Sequence, residues 1–344
     1  MPLFLSVQSR FMKNSPKLLL LLILVTLFSC GSGGGNRETP NQQLQLKSAP
    51  KPNADSLYMF VQKQVDFGPR VPNTEAHREA ANWFVQKLES YGGIVTVQEF
   101  TDQVYDGTEV HLKNIIASFN PNVKKRILLA AHWDTRPFGD KDAEDDMVEI
   151  DGANDGASGV GVLLEVARVI SANAPSVGVD IILFDGEDWG QHQNGSADED
   201  PRDHGKDSWY CLGSQYWSKN KHRADYSAYY GILLDMVGAS DATFFYDSVS
   251  QQYAGRTLEQ TWNIALQLGY DKYFKKQLGL RGITDDHVYV NENARIPMID
   301  IIDYRVNTNN FGPYHHTRND NMSVISKETL YAVADVVLTV LYNE

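Results

Sequence analysis

Apolar residues recur at helical spacing over residues 56–67 and 74–91, the second stretch carrying Ala80, Phe84 and Leu88 on one face. Residues 95–100 and 110–119 alternate like strands with one covered face. Four shorter runs are apolar almost throughout: 127–131 (ILLAA), 179–184 (VDIILF), 230–236 (YGILLDM) and 297–302 (PMIDII). Helical periodicity returns over 158–172, 212–220, 256–268 and 327–342. Continuously apolar strands separated by helices require a sheet covered on both faces and largely parallel at its centre. The pattern therefore predicts an α/β fold, a single domain of three α/β/α layers around a mixed, centrally parallel sheet. Two long, acidic, polar loops interrupt it at 137–152 and 190–207, and loops of that length in a compact domain are commonly functional.

The front of the chain follows different rules. Lys13 and Lys17 precede an eleven-residue apolar run, 18–28 (LLLLLILVTLF), which as a helix reaches about 16 Å, half of a bilayer core. It reads as a signal-peptide core, with Met12 giving the usual short basic start. Leu27-Phe28-Ser29-Cys30 resembles a bacterial lipobox, in which the cysteine is diacylated and becomes the new N-terminus. Residues 1–29 are then a signal peptide, 30–55 a lipidated Cys30 and a Gly-, Pro- and Gln-rich tether, and 56–344 a single folded domain. The expectation is an exported, periplasm-facing lipoprotein, more at home in the outer membrane because Gly31 is not a retention aspartate.

Composition narrows the function. Among 344 residues, 44 acidic side chains against 31 basic ones give a net charge of −13, which repels phosphate backbones and argues against nucleic acid as a partner. The sequence suggests a monomer. There are two cysteines, and once Cys30 is acylated Cys211 has no partner for a disulfide. Cysteine-rich zinc clusters are excluded by the same count, and Cys211 reads as a buried packing residue.

Chemistry collects where strands stop. The run 127–131 delivers His132 and Asp134, 179–184 delivers Asp185, Glu187 and Asp188, and 230–236 contains Asp235. A glycine-rich turn presents Asp155 just before a helix, and His315 and His316 sit in a loop near the C-terminus. In open α/β sheets the carboxyl ends of the strands face the ligand crevice, so these groups can converge. Imidazoles and carboxylates without thiolate suit a catalytic zinc with an open coordination position.

His132-Trp133-Asp134, the 152–159 turn (GANDGASG), Asp185-Gly186-Glu187-Asp188, Leu234-Asp235-Met236 and His316-Thr317 together resemble the zinc aminopeptidase-like metallopeptidases. Within that superfamily the chain is most similar to the glutaminyl cyclases. Leu234 to Ala239 (LDMVGA), Thr284-Asp285-Asp286-His287 and Asn319-Asp320-Asn321 carry that finer likeness. The resemblance implies one zinc per chain held by Asp155, Asp188 and His316, with Glu187 as general acid/base and Asp235 and Asp285 as supporting carboxylates. Its substrates would be peptides and proteins with N-terminal Gln, cyclised to pyroglutamate with release of ammonia. His315 would line the substrate pocket, and Trp189 would either form an apolar wall or fill core. Relatives often carry Glu where Asp188 stands, and animal cyclases carry Trp at His315 and His at Asp300. The alternative is a di-zinc aminopeptidase of the same fold, in which His132 and Asp235 hold a second ion against a bridging Asp155.

Overall fold

In the computed structural model, which describes residues 45–195, 200–280 and 282–344, the strands are β1 (Ile94–Gln103), β2 (Glu109–Phe119), β3 (Arg126–His132), β4 (Gly178–Phe184), β5 (Tyr230–Asp235), β6 (Phe244–Asp247), β7 (Phe274–Leu280) and β8 (Met298–Ile302). The six-stranded sheet runs β1-β2-β4-β3-β5-β8. Its β1–β2 and β2–β4 pairs are antiparallel, and β4–β3, β3–β5 and β5–β8 are parallel. The expected mixed sheet with a parallel centre is what forms. Parallel pairing brings the ends of β3, β4 and β5 to one edge, with His132 opposite Phe184 and Asp235 opposite Ile302.

Helices α1 (Ala54–Val65), α2 (Glu75–Ser90), α3 (Ala157–Ala172), α4 (Leu212–Lys219), α5 (Ser248–Gln267), α6 (Asp286–Tyr289) and α7 (Lys327–Tyr342) complete the layers. Strand alternation divides the core in two. Ile127, Leu129 and Ala131 of β3 pack with Leu57, Val160 and Val337 of α1, α3 and α7. Leu128 and Ala130 face the other way, toward Trp217 of α4, Val290 and Met298. The first half of α3 is buried all round, as expected of a helix packed on several sides. Gly159 lets it touch the sheet, since a Cβ there would lie 2.3 Å from the Leu234 carbonyl oxygen.

Several boundaries differ from the sequence reading. Residues 45–53 belong to the body: Ala49 and Pro52 are buried, and Lys47 N–H donates to Asn343 Oδ1 at 2.6 Å. The expected tether is therefore shorter than 30–55, its anchors being contacts with α7 that composition does not register. The expected signal peptide and Cys30 lie outside the described residues, and the described ones include no helix long and apolar enough to cross a membrane. Helix α5 begins at Ser248 rather than Arg256, with Asp247 Oδ1 capping Val249 and Ser250, and it kinks at Ala254 (φ −135°). Strands β6 and β7 form a separate parallel pair that was not anticipated, because Phe274–Leu280 (FKKQLGL) is too polar to read as a strand.

Candidate active site

Beyond β4 the chain turns through Asp185-Gly186-Glu187-Asp188, and the turn is built on buried carboxylates. Asp134, just past β3, accepts the backbone N–H of Glu187 with Oδ1 and that of Asp188 with Oδ2, both at 3.1 Å. Asp185 points away from the site, bonds His77 Nε2 at 2.9 Å and accepts Lys113 N–H at 2.6 Å. Asp134 and Asp185 thus shape the turn, leaving Glu187 and Asp188 to face the cavity.

Asp155 sits on the turn before α3. Gly156 (φ +85°) must be glycine, because a Cβ would stand 2.8 Å from the Asp134 carbonyl oxygen and 3.0 Å from the His132 ring. Arg70, wholly buried, donates to the carbonyls of Trp133 (3.1 Å), Asp151 (2.9 Å) and Gly152 (2.8 Å), and so ties the turn to the end of β3. Asp320 holds the other side through the N–H groups of Asn154 and Asp155.

Three side chains from three segments now meet. His316, in a left-handed backbone conformation (φ 57°), places Nε2 3.1 Å from Asp188 Oδ1 and 3.8 Å from Asp155 Oδ2. Its Nδ1 faces Asp140 Oδ1 at 3.3 Å, and Asp140 is itself clasped by Arg136 at 3.0 and 2.6 Å. A histidine with one nitrogen facing a carboxylate and the other turned toward two further acidic side chains has the arrangement of a metal ligand. A second set gathers beside it. His132 Nε2 lies 3.0 Å from Asp155 Oδ1 and 3.3 Å from Asp235 Oδ1, and its Nδ1 turns to Asp134 at 3.4 Å. The two oxygens of Asp155 therefore face different sets.

An orphaned atom tests whether a cation suits this donor set. Asp188 Oδ2 is buried without a hydrogen-bond partner among the described residues, which is costly unless something positive lies beside it. Burial, with Asp155 and Asp285 adding charge, pushes the Asp235 carboxyl up to about 7 despite His132. Burial also holds Glu187 well above its ordinary range, and Asp188, Asp285 and Asp286 add to the push against the pull of His132. Imidazole and carboxylate donors without thiolate fit zinc.

The cavity over these groups measures about 610 Å³ and is lined by Glu187, Asp235, Asp285 and His315 together with Tyr210, Ile302 and Phe311. Glu187 and Asp285 offer ligand atoms within 4.8 Å of each other. His315 stacks on His316 with ring centroids 3.7 Å apart, and Lys141 Nζ bonds its Nδ1 at 2.6 Å. Trp189 does not line the cavity. It packs against Phe100, Leu112 and Leu212 beneath β1 and β2, so the wall expected of it falls to other residues, with core filling as its role. Asp286 and His287 point inward, His287 Nε2 lying 3.2 Å from Asp247 Oδ1. Asp300 is buried beside Asp285 and His287, held well above the carboxylate range by burial and by the charges of Asp285, Asp247 and Asp235. Cys211 is buried, but it is more than packing, since its Sγ lies 3.2 Å from Glu187 Oε1.

Sequence reasoning missed Arg70, Arg136, Asp140 and Lys141. Asp140 and Lys141 lie in the loop marked as functional by its length, whereas nothing local distinguishes Arg70. Residues 114–341 match the model of peptidase family M28. The chain belongs to that family. Among solved structures, this M28 protein is similar to a glutaminyl cyclase of Bacteroides thetaiotaomicron bound to N-acetylhistamine, at 46% identity over 86% of this chain and 100% of that one (TM-score 0.82). A Zn-dependent exopeptidase from Parabacteroides distasonis is equally similar, at 47% identity over 86% of this chain and 100% of that one (TM-score 0.82). A glutaminyl-peptide cyclotransferase of Drosophila melanogaster shares 28% identity over 76% of this chain and 73% of its own length.

Proposed function

We propose that this M28 protein is a zinc-dependent glutaminyl-peptide cyclotransferase, converting N-terminal Gln of peptides to pyroglutamate with release of ammonia. The carrying observation is that Glu187, Asp235 and Asp285 line one cavity beside the Asp155, Asp188 and His316 cluster. Similarity to bacterial glutaminyl cyclases over most of the chain supports the same reading.

Zinc held by Asp155, Asp188 and His316 would supply Lewis acidity toward the γ-carbonyl oxygen of the substrate glutamine. Everything else falls to the chain's own side chains. Asp235 and Asp285 hold the α-amine in its neutral form, whose lone pair attacks the side-chain amide carbon while Glu187 accepts the proton that nitrogen sheds. The new bond closes a five-membered ring, which requires the reacting atoms to be held together in the cavity. Glu187 then gives its proton to the departing amide nitrogen, the carbon–nitrogen bond breaks, and ammonia leaves. A base whose pKa is raised by burial suits both halves of that exchange.

One observation favours a second reading, aminopeptidase hydrolysis with two zinc ions. His132, Asp155 and Asp235 offer ligand atoms that all lie within 4.8 Å of one another. Incubating purified protein with Gln-peptides and with an aminopeptidase substrate, with and without chelator, separates the two. Chelator-sensitive ammonia release and a pyroglutamyl product support cyclisation, whereas release of free N-terminal amino acid reverses the assignment. On the sequence of the leader we propose further that the protein is exported and lipid-anchored through Cys30.

A further inference from the structure

Cys211 directly precedes α4 in a left-handed backbone conformation (φ 59°, ψ 36°). For a residue with a side chain this region costs about 1 kcal/mol or more, and glycine or asparagine is its usual occupant. Two backbone bonds impose it here. Cys211 N–H donates to the Glu187 carbonyl and Leu212 N–H to that of Gly186, both at 2.9 Å, so the start of α4 is docked on the turn that carries Glu187. The side chain that results is fully buried and sits with Sγ 3.2 Å from Glu187 Oε1. Among the described residues no other side chain hydrogen-bonds to that carboxylate; His132 Nδ1, the nearest cationic nitrogen, is 4.0 Å from Oε2.

Burial and the charges of Glu187, Asp286 and Asp285 push the thiol well above its ordinary range, so the sulfur keeps its proton and donates it. A thiol is a weak donor. It can fix the direction of one carboxylate oxygen without holding it as firmly as a hydroxyl or amide would, leaving the group free to take up and release a substrate proton. A glycine would satisfy the backbone with less strain but would leave Glu187 without this contact. We propose that Cys211 is a positioning residue for the reaction, its S–H orienting the carboxylate of Glu187 toward the substrate amine. The inference rests on the reading of Glu187 as acid/base.

The test compares Cys211→Ala and Cys211→Ser in the zinc-loaded full-length protein. Loss of the donor should lower kcat on a Gln-peptide about tenfold, the scale of a mispositioned catalytic group, while KM, zinc content and melting temperature change little. Serine restores a donor and should recover most of the rate. Full kcat in the alanine variant, or a serine variant as slow as alanine, overturns the proposal. Infrared spectroscopy reads the contact independently of any reaction. The S–H band that vanishes in Cys211→Ala should shift toward the free-thiol frequency in Glu187→Ala, and a band that does not move overturns the contact. Absence of cyclisation in the unaltered protein would instead overturn the functional reading, with the band still reporting on the pair.

Discussion

Asp320 Oδ2 accepts the backbone N–H of Asp155 at 2.9 Å, while its Oδ1 accepts that of Asn154 at 2.7 Å. A residue far along the sequence thus sets the height of the carboxylate that both donor sets share. Asp320→Asn keeps the shape but replaces one acceptor by an amide that faces an N–H, so one bond must be lost. Partners of this kind are worth about 10- to 100-fold in metal affinity. Chelator competition should show zinc affinity falling within that range; an unchanged affinity would remove Asp320 from any role in shaping the site.

Glu187 is adjacent to the proposed ligand Asp188 but belongs to neither donor set. Glu187→Gln should therefore keep its zinc while losing about 10²- to 10⁴-fold in kcat, the usual worth of a positioned acid/base. With Glu187 as the base, kcat/KM of the unaltered enzyme should rise on the acidic side as this carboxyl deprotonates. Equal loss of zinc and of rate in the variant would point to a ligand instead.

The raised carboxyls also govern the metal-free protein. Asp235, up to about 7, and Glu187, Asp286 and Asp300, well above their ordinary values, are all shifted chiefly by burial, so they bind protons in the folded state that the unfolded chain has released. Stability then falls as pH rises from the unfolded carboxyl range toward the folded values. Asp140 and Asp155, held low, act the opposite way only at more acid pH. Chelated protein should therefore melt at progressively lower temperature between about pH 5 and 7. Zinc should remove that slope and raise the melting temperature by mass action. A flat profile for the chelated protein would show that these carboxyls are not protonated.

Much of this site is written in single residues that follow apolar runs. His132, Glu187, Asp188 and Asp235 were legible because parallel strands must deliver their next residues to one edge. His316 and Asp155 were legible as residue types in marked turns. What the sequence hid is non-local. Arg70 reaches three carbonyls across the fold, and its surroundings in the chain say nothing of that. Trp189 beside Asp188 was open to either role, and only packing shows it turned under β1 and β2. Cys211 read as filler because burial of a cysteine is unremarkable until its neighbour is known. The start of α5 was lost because Ser248 to Ala254 (SVSQQYA) has too few apolar positions to show a period.

The leader makes a separate prediction. If Cys30 carries the lipid, cells fed labelled fatty acid should label the protein, and Cys30→Ser should abolish the label and move the protein from the membrane to the soluble fraction. A dual acyl anchor is strong enough for that partition to be nearly complete. Persistent membrane association of the variant would require another anchor.

His132 decides how many ions the site uses. Its Nε2 stands with Asp155 Oδ1 and Asp235 Oδ1, and burial, which would lower its pKa, is outweighed by Asp134, Asp155 and Asp235, which raise it. A positively charged imidazole in that position takes up the negative charge that a second zinc would otherwise neutralise. The protein acting as a cyclase with one zinc should then retain that ion in His132→Ala, because Asp155, Asp188 and His316 are untouched. Asp235 would lose its partner, and the amine would be held less well, so KM should rise by about tenfold, as expected when a charged hydrogen bond is removed. Elemental analysis of both forms, alongside the ammonia assay, checks this. Two zinc ions per chain in the unaltered protein, falling to one in the variant with loss of peptide hydrolysis, would instead establish the bridged centre and the aminopeptidase reaction.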